Sequence, residues 1–318
     1  MDSIRVFAPA TVANIVCGFD VLGFAVNVPG DEVILRLTGP PGVRIRAIHG
    51  DGGLLPTDPY RNTASAVVMR YLELTGDQGC GVEIELFKKM PVGSGLGSSA
   101  ASTIAGLFAI NTLRGSRVDP DRMLAIALEG ERIACGQGHA DNVAPALLGG
   151  FVLIRSYDPL DVIRLHTPAH LVCALVHPQI EIQTRDARRI IKKMIPLSDT
   201  VRQMGNVGAL VAGLYQENDQ LISRSMQDVI IEPTRAILIP GFYRLREIAL
   251  EQGALGFGIS GSGPAIFALS STREAAQCVV EALRKELFRG GIDSEGYVSS
   301  VNREGPSILE GNPPSVES

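Results

Sequence analysis

Residues 91–102, Pro-Val-Gly-Ser-Gly-Leu-Gly-Ser-Ser-Ala-Ala-Ser, set three alternating glycines, Gly93, Gly95 and Gly97, directly before a run of small helix-compatible residues that opens at Ser98. Glycine leaves backbone N–H groups unobstructed by Cβ atoms, and a helix beginning at Ser98 adds unpaired N–H groups and a partial positive charge. Such a stretch suits phosphate; the alternative is a tight strand-to-helix turn that is merely rich in glycine. Neither common phosphate loop fits. The P-loop needs a lysine where Ser98 stands, and the dinucleotide spacing G-x-G-x-x-G is broken at Ser98.

The other residues able to do chemistry are dispersed. Asn14 and Asp20 lie six apart in an otherwise apolar segment. If buried, each needs a partner, either in turns beside Gly18 or in a ligand. Glu129 and Glu131 fall on a helical stretch, where a glutamate ordinarily faces solvent. A cation between phosphates, however, needs only one or two protein oxygens, so one glutamate and a serine at the loop suffice. His139, Asp141 and Asn142 crowd together before an apolar strand. They either form a turn or make an acceptor site, with His139 donating to a carboxylate and Asp141 or Asn142 orienting a hydroxyl. Arg188 and Arg235 are either solvated or grip a carboxylate in planar, bidentate fashion. Gly256-Phe-Gly-Ile-Ser-Gly261 formally matches G-x-G-x-x-G, but Pro264 and an apolar strand follow it where a helix should open, so it is not a nicotinamide site.

The elements that must hold these groups follow from periodicity. Alternation marks strands at Arg5–Ala8, 32–38, 43–48 and 81–88, and apolar runs mark strands at 151–154, 171–176 and 262–269, with a last strand at 296–301. Helical spacing marks 60–74, 98–113, 120–135, 184–194, 201–215, 218–226, 241–252 and 272–288. Asn62 starts the first of these helices as a cap or as a ligand contact. The fold class is α+β, with a mixed or antiparallel sheet carrying helices on one face in the N-terminal part. A polar, turn-prone stretch at 165–169 divides residues 1–166 from a second domain, 167–304, and a proline-rich tail, 305–318, is expected to be loosely ordered.

With 318 residues, 45% of them apolar, the chain can fill the cores of two domains. A net charge of −5, with no basic run longer than the short stretch at 185–193, argues against nucleic acid. No long uncharged apolar stretch points to a membrane or a leader, so a cytoplasmic location is expected. The five cysteines, 17, 80, 135, 173 and 278, are scattered without C-x-x-C spacing and read as buried thiols.

Pro91 to Ala101 resembles the central ATP-binding motif of the GHMP kinases, Pro-x-x-x-Gly-Leu-Gly-Ser-Ser-Ala, without a mismatch. The segments Pro9–Asp20, His139-x-Asp-Asn-Val-Ala-Pro145, Thr184–Arg188, Glu232-Pro-Thr-Arg235 and the glycine stretch ending at Gly261 are similar to those of the homoserine kinases within that superfamily, and together they span residues 5–269. The resemblance implies a two-domain GHMP fold with a ferredoxin-like C-terminal α/β sandwich. The implied activity is ATP-dependent phosphorylation of the side-chain hydroxyl of L-homoserine, a step of threonine biosynthesis. It implies ATP held by Asn62 and by Pro91, Val92, Gly93, Ser94, Gly95, Leu96, Gly97, Ser98, Ser99, Ala100 and Ala101, and Mg²⁺ held by Ser99 and Glu131. Asn14, Asp20, His139, Arg188, Arg235 and Gly261 would meet the substrate, and Asp141 and Asn142 would act at the acceptor hydroxyl. A homodimer is expected. A mevalonate-type kinase is the competing activity, although that branch carries a first-motif lysine absent between Ile4 and Asp20. A nucleotide-binding protein without turnover would not need the acceptor residues.

Overall fold

The two longest strands, Ser3–Ala13 (β1) and Leu22–Thr38 (β2), pair antiparallel with Val6 opposite Val33. They outrun the alternating stretches because the apolar flanks of the segment carrying Asn14 and Asp20 also join the ladder. Gly42–His49 (β3) and, after the helix Thr63–Thr75 (α1), Gly81–Phe87 (β4) extend this sheet; β3 lies parallel to β4, so the sheet is mixed. Helices Ser98–Leu113 (α2), Pro120–Cys135 (α3) and Ala140–Leu148 (α4) follow, and the hairpin Phe151–Tyr157 (β5) and Leu160–Arg164 (β6) joins through β5 to β2. The structure, a computed structural model, describes residues 2–309.

A second sheet starts at Val172–Pro178 (β7). Helices Thr184–Arg189 (α5), Leu197–Gln216 (α6), Asp219–Ser225 (α7), Glu232–Arg235 (α8) and Phe242–Glu251 (α9) lead to the hairpin Gly256–Ile259 (β8) and Ile266–Ser270 (β9). Arg273–Arg289 (α10) and Ser294–Ser300 (β10) complete it. The antiparallel order β10-β7-β9-β8 is that of a ferredoxin-like sandwich. Alternate side chains of β7 and β9 serve two cores: Cys173, Leu175, Phe267 and Leu269 join the core of the first sheet, while Val172, Ala174, Val176, Ile266 and Ala268 join another with Phe242, Leu245, Val279 and Leu283 of α9 and α10. Burial on both faces makes these strands continuous apolar runs, with the alternation erased.

Three elements depart from the sequence pattern. The segment 139–148 is a helix despite Pro145 in its interior. Proline has no N–H to offer the Asp141 carbonyl, and that carbonyl packs against Gly23 of β2, where a Cβ would stand 1.9 Å away. Helix α5 ends at Arg189 rather than at Met194, the chain turning at Ile190 toward Pro196, the cap of α6. The segment after Gly305 is not loose at its start: Ser307–Ile308 (β11) pair with β1, so the first sheet takes its final strand from beyond the second. Residues 310–318 of that tail lie outside the described residues.

Candidate active site

The glycine loop is built from backbone. Gly93, Gly95 and Gly97 have φ of 72°, 82° and 70°, a region that glycine enters without penalty. At Gly95 a Cβ would lie 2.5 Å from the Ser260 carbonyl oxygen, so glycine is what lets the loop rest on the β8–β9 turn. There the Ser260 hydroxyl donates to the Gly95 carbonyl at 2.8 Å and the Ala265 N–H to the Ser94 carbonyl at 2.9 Å. From the other side the Thr11 N–H of β1 donates to the Leu96 carbonyl at 3.0 Å. Helix α2 opens with Gly97 at its cap and no side-chain cap, leaving its first N–H groups to a ligand.

Beneath the loop lies a buried charge network. The Lys88 ammonium pairs with Asp31 and donates to the Ser98 carbonyl at 2.9 Å and the Ser102 hydroxyl at 2.6 Å. Asp31 also accepts from the Ser98 hydroxyl at 2.8 Å and from the Lys89 and Met90 N–H groups. Burial holds the Lys88 ammonium below its ordinary pKa, against the pull of Asp31. The network ties the end of β4 to the first turn of α2 and so sets where the loop ends.

A cavity of about 170 Å³ opens above the loop, and side chains build its other wall. Asn14, Ile15 and Val16 occupy the left-handed region with φ of 74°, 38° and 60°, a strain of order 1–3 kcal/mol for each such residue. Both ends of the Asn14 amide are used: Nδ2 donates to the Gly261 carbonyl at 2.8 Å, and Oδ1 accepts from the Asp20 N–H at 3.0 Å. The Asp20 carboxylate takes both Nη atoms of Arg188 at 2.8 and 2.9 Å, and its carbonyl accepts from the Tyr157 hydroxyl at 2.8 Å. Arg188 and Arg235 both lie over the Phe19 ring, at 5.5 and 5.0 Å from its centre. Arg235 is only 4% exposed, yet its guanidinium donates to carbonyls, those of Ala187 and Gly261, and among the described residues it makes no ion pair. Burial, with Arg188 second, lowers its pKa. A buried cation of this kind calls for an anion.

Burial and the two arginines keep His139 neutral by lowering its pKa, with burial the larger effect. Two carboxyls on the opposite side are pushed upward. Glu131 rises to about 7 through burial, against hydrogen bonds from the His139 N–H and the Ser99 side chain. Asp141, fully enclosed, also rises to about 7, through burial first and the Asp20 charge second. Beside it, Asn142 accepts from the Thr11 hydroxyl at 2.8 Å and turns its Nδ2 toward Asp141 at 3.5 Å.

The cavity thus brings together Asn14, Asp20, Gly93, Ser94, Gly95, Gly97, Ser98, Ser99, Ala100, Glu131, His139, Asp141, Asn142, Arg188, Arg235 and Gly261. Asn62 does not line it: its Oδ1 caps α1 through the Ala64 N–H, and its Nδ2 donates to the Pro56 carbonyl. Pro91, Val92, Leu96 and Ala101 do not line it either, and Leu96 and Ala101 are buried anchors of the loop. Sequence reasoning missed Thr11, Phe19, Asp31, Lys88 and Tyr157. The one available signal was the acidic pair Asp31-Glu32, inside β2, and the basic pair Lys88-Lys89, just past β4, on two strands that pair with Glu32 opposite Phe87.

Comparison with known proteins places this geometry. Residues 62–150 match the GHMP kinases N terminal domain and residues 206–289 the GHMP kinases C terminal domain. A homoserine kinase of Chloroherpeton thalassium is 52% identical, over 97% of this chain and all of the relative, and one of Chlorobaculum tepidum is 48% identical over 97% of this chain and 99% of the relative. The crystal structure of homoserine kinase from Cytophaga hutchinsonii superposes with a TM-score of 0.95 at 58% identity, covering 97% of this chain and 98% of that one. A mevalonate kinase of L. major, 16% identical with a TM-score of 0.70 over 93% of this chain and 95% of that one, shares the fold.

Proposed function

We infer, from the membership of this chain in the homoserine kinase family of the GHMP kinases, that it transfers the terminal phosphoryl group of ATP to the side-chain hydroxyl of L-homoserine. One observation carries the substrate assignment: buried Arg235, which makes no ion pair among the described residues, faces the same cavity as the glycine loop and the uncapped N-terminus of α2. The first needs a carboxylate and the second a phosphate, and a kinase acting on an amino acid has both.

In this reading the N–H groups of Gly93, Ser94, Gly95 and Gly97 and of the first turn of α2 hold the nucleotide phosphates. Arg235 and Arg188 take the homoserine carboxylate, with neutral His139 as a further donor, and Asp20 takes the ammonium. Asn142 orients the hydroxyl. Asp141 is a hydrogen-bonding neighbour and not an obligatory base, since transfer through a loose transition state gains little from early deprotonation. The described residues include no group of three His, Cys, Asp or Glu side chains arranged for a metal. Ser99 and Glu131 nevertheless fit Mg²⁺: two hard oxygens lie together, and the buried carboxyl has no cationic side chain beside it. When bound, the ion would neutralise charge on the transferred group. The exposed Met194, Leu197, Val201 and Met204 support a homodimer; sedimentation of Met204→Glu as a monomer, against a wild-type dimer, is the expected outcome.

A coupled ADP-release assay with homoserine, mevalonate and galactose as acceptors tests the activity. Turnover with homoserine alone is expected. Preference for mevalonate, or nucleotide binding with no turnover, would overturn it.

A further inference from the structure

The hydrogen bond from the Thr11 hydroxyl to Asn142 Oδ1 joins residues 131 apart in sequence, at 2.8 Å. It runs from β1 to the first turn of α4, and Thr11 is fully buried. The third glycine of the phosphate loop lies against it: a Cβ on Gly97 would stand 2.0 Å from Thr11 Oγ1 and 3.0 Å from Asn142 Oδ1. Loop, β1 and α4 therefore meet at one hydroxyl.

An amide has a donor end and an acceptor end, and its chemistry toward a substrate depends on which end faces it. Two neighbours orient Asn142 the same way. The Thr11 hydroxyl supplies a proton to Oδ1, and the Asp141 carboxyl oxygen receives one from Nδ2, 3.5 Å away. With Oδ1 committed to Thr11, the amide presents N–H to the cavity. An acceptor alcohol there would receive a hydrogen bond on its oxygen, which keeps a second lone pair for phosphorus and turns its own proton away from Asn142.

We propose that Thr11 is a positioning residue for phosphoryl transfer, holding the Asn142 amide donor-first toward the acceptor hydroxyl and in register with the glycine loop. The proposal rests on the homoserine kinase reading and on Asn142 lying at the hydroxyl. It places Thr11's effect in kcat, because neither the carboxylate and ammonium contacts nor the phosphate N–H groups pass through it.

The test is a double-mutant cycle of Thr11→Val and Asn142→Ala, read by homoserine-dependent ADP release with both substrates varied. Thr11→Val is expected to lower kcat roughly tenfold and leave both KM values within about twofold, with Thr11→Ser restoring most of the rate. In the Asn142→Ala background the Thr11→Val loss should vanish. Wild-type kcat in Thr11→Val, a loss undiminished in the Asn142→Ala background, or a rise confined to the ATP KM would each overturn the proposal. If the second valine methyl is not accommodated against Gly97, Thr11→Ala removes the same hydroxyl and is held to the same outcomes. An Asn142→Ala variant with unchanged kcat would instead refute the role given to Asn142, and a wild type inactive on homoserine would refute the function.

Discussion

The two walls of the cavity are made of different material. The phosphate wall is backbone: glycines with positive φ, the open end of α2, and an Asp31–Lys88 pair that acts from below without lining the cavity. The acceptor wall is side chain: Asp20, Arg188, Arg235, His139 and Asn142, arriving from both sheets' domains and separated by up to 215 residues in the sequence. Backbone dipoles are fixed by the fold and do not titrate. Side-chain charges do titrate, and they can find one another when no ligand separates them. The phosphate wall should thus behave as a rigid unit shared by every acceptor, and the acceptor wall as the seat of selectivity.

The sharpest way to break that division is at Glu131. Glu131→Gln should lower kcat by about a thousandfold for any acceptor, since the Mg²⁺ proposed to bind there would serve the phosphates. The fold should survive, because a neutral amide is easier to bury than a carboxyl already displaced toward neutrality. Wild-type rates at saturating Mg²⁺ would remove Glu131 from the site. Next is Arg235→Leu, for which the homoserine KM should rise at least about thirtyfold while the ATP KM stays within about twofold. A selective ATP defect would dissolve the distinction between the walls.

A smaller effect sharpens the electrostatic half of the comparison. Burial, with the Asp20 charge second, pushes the Asp141 carboxyl from its ordinary 3.8 up to about 7. A raised folded pKa means that burial costs nothing below the unfolded pKa and costs most above the folded one, so stability falls as pH rises from about 4 through about 7. Asp141→Asn should therefore be more stable than wild type at pH 8, by an amount on the order of a few kcal/mol that shrinks toward pH 4. A gap independent of pH would show that Asp141 is not buried as an acid. The smallest effect belongs to Tyr157→Phe, which removes the hydroxyl's bonds to the Asp20 carbonyl and the Asp141 backbone and should raise the homoserine KM by roughly three- to tenfold at unchanged melting temperature. An equal change in the ATP KM would mean that the hydroxyl braces the whole cleft.

The same difference of material explains what could be read in advance. The glycine loop is contiguous, and its conformational demands are written in residue type, so the phosphate wall was visible in twelve adjacent letters. Strands of the second half were visible as the apolar runs at 171–176 and 262–269, whereas their ferredoxin-like arrangement came only from the family resemblance. The acceptor wall was legible only through family resemblance, because a lone Arg188 or Asn14 looks like any surface arginine or turn asparagine. Thr11 and Tyr157 gave no signal, since a threonine in β1 and a tyrosine at the end of β5 are ordinary strand residues until the fold aims their hydroxyls. Pro145 sits inside α4 and is tolerated there because the carbonyl it leaves free faces Gly23. Asn62 takes up the cap, one of its two sequence readings, with Oδ1 capping α1 and Nδ2 donating to the Pro56 carbonyl.

The ion pair between Asp20 and Arg188 carries one more consequence. It places opposite unit charges side by side in the cavity, an arrangement that a free amino acid reproduces with its own two ends. In the proposed binding mode homoserine would exchange partners with this pair, one internal pair becoming two intermolecular ones, and as a zwitterion it would leave the total charge of the site unchanged. Affinity should accordingly depend little on ionic strength. A ligand with only an ammonium engages Asp20 and strips Arg188 of its counter-ion, whereas a lone carboxylate can turn to Arg235 and leave the pair intact.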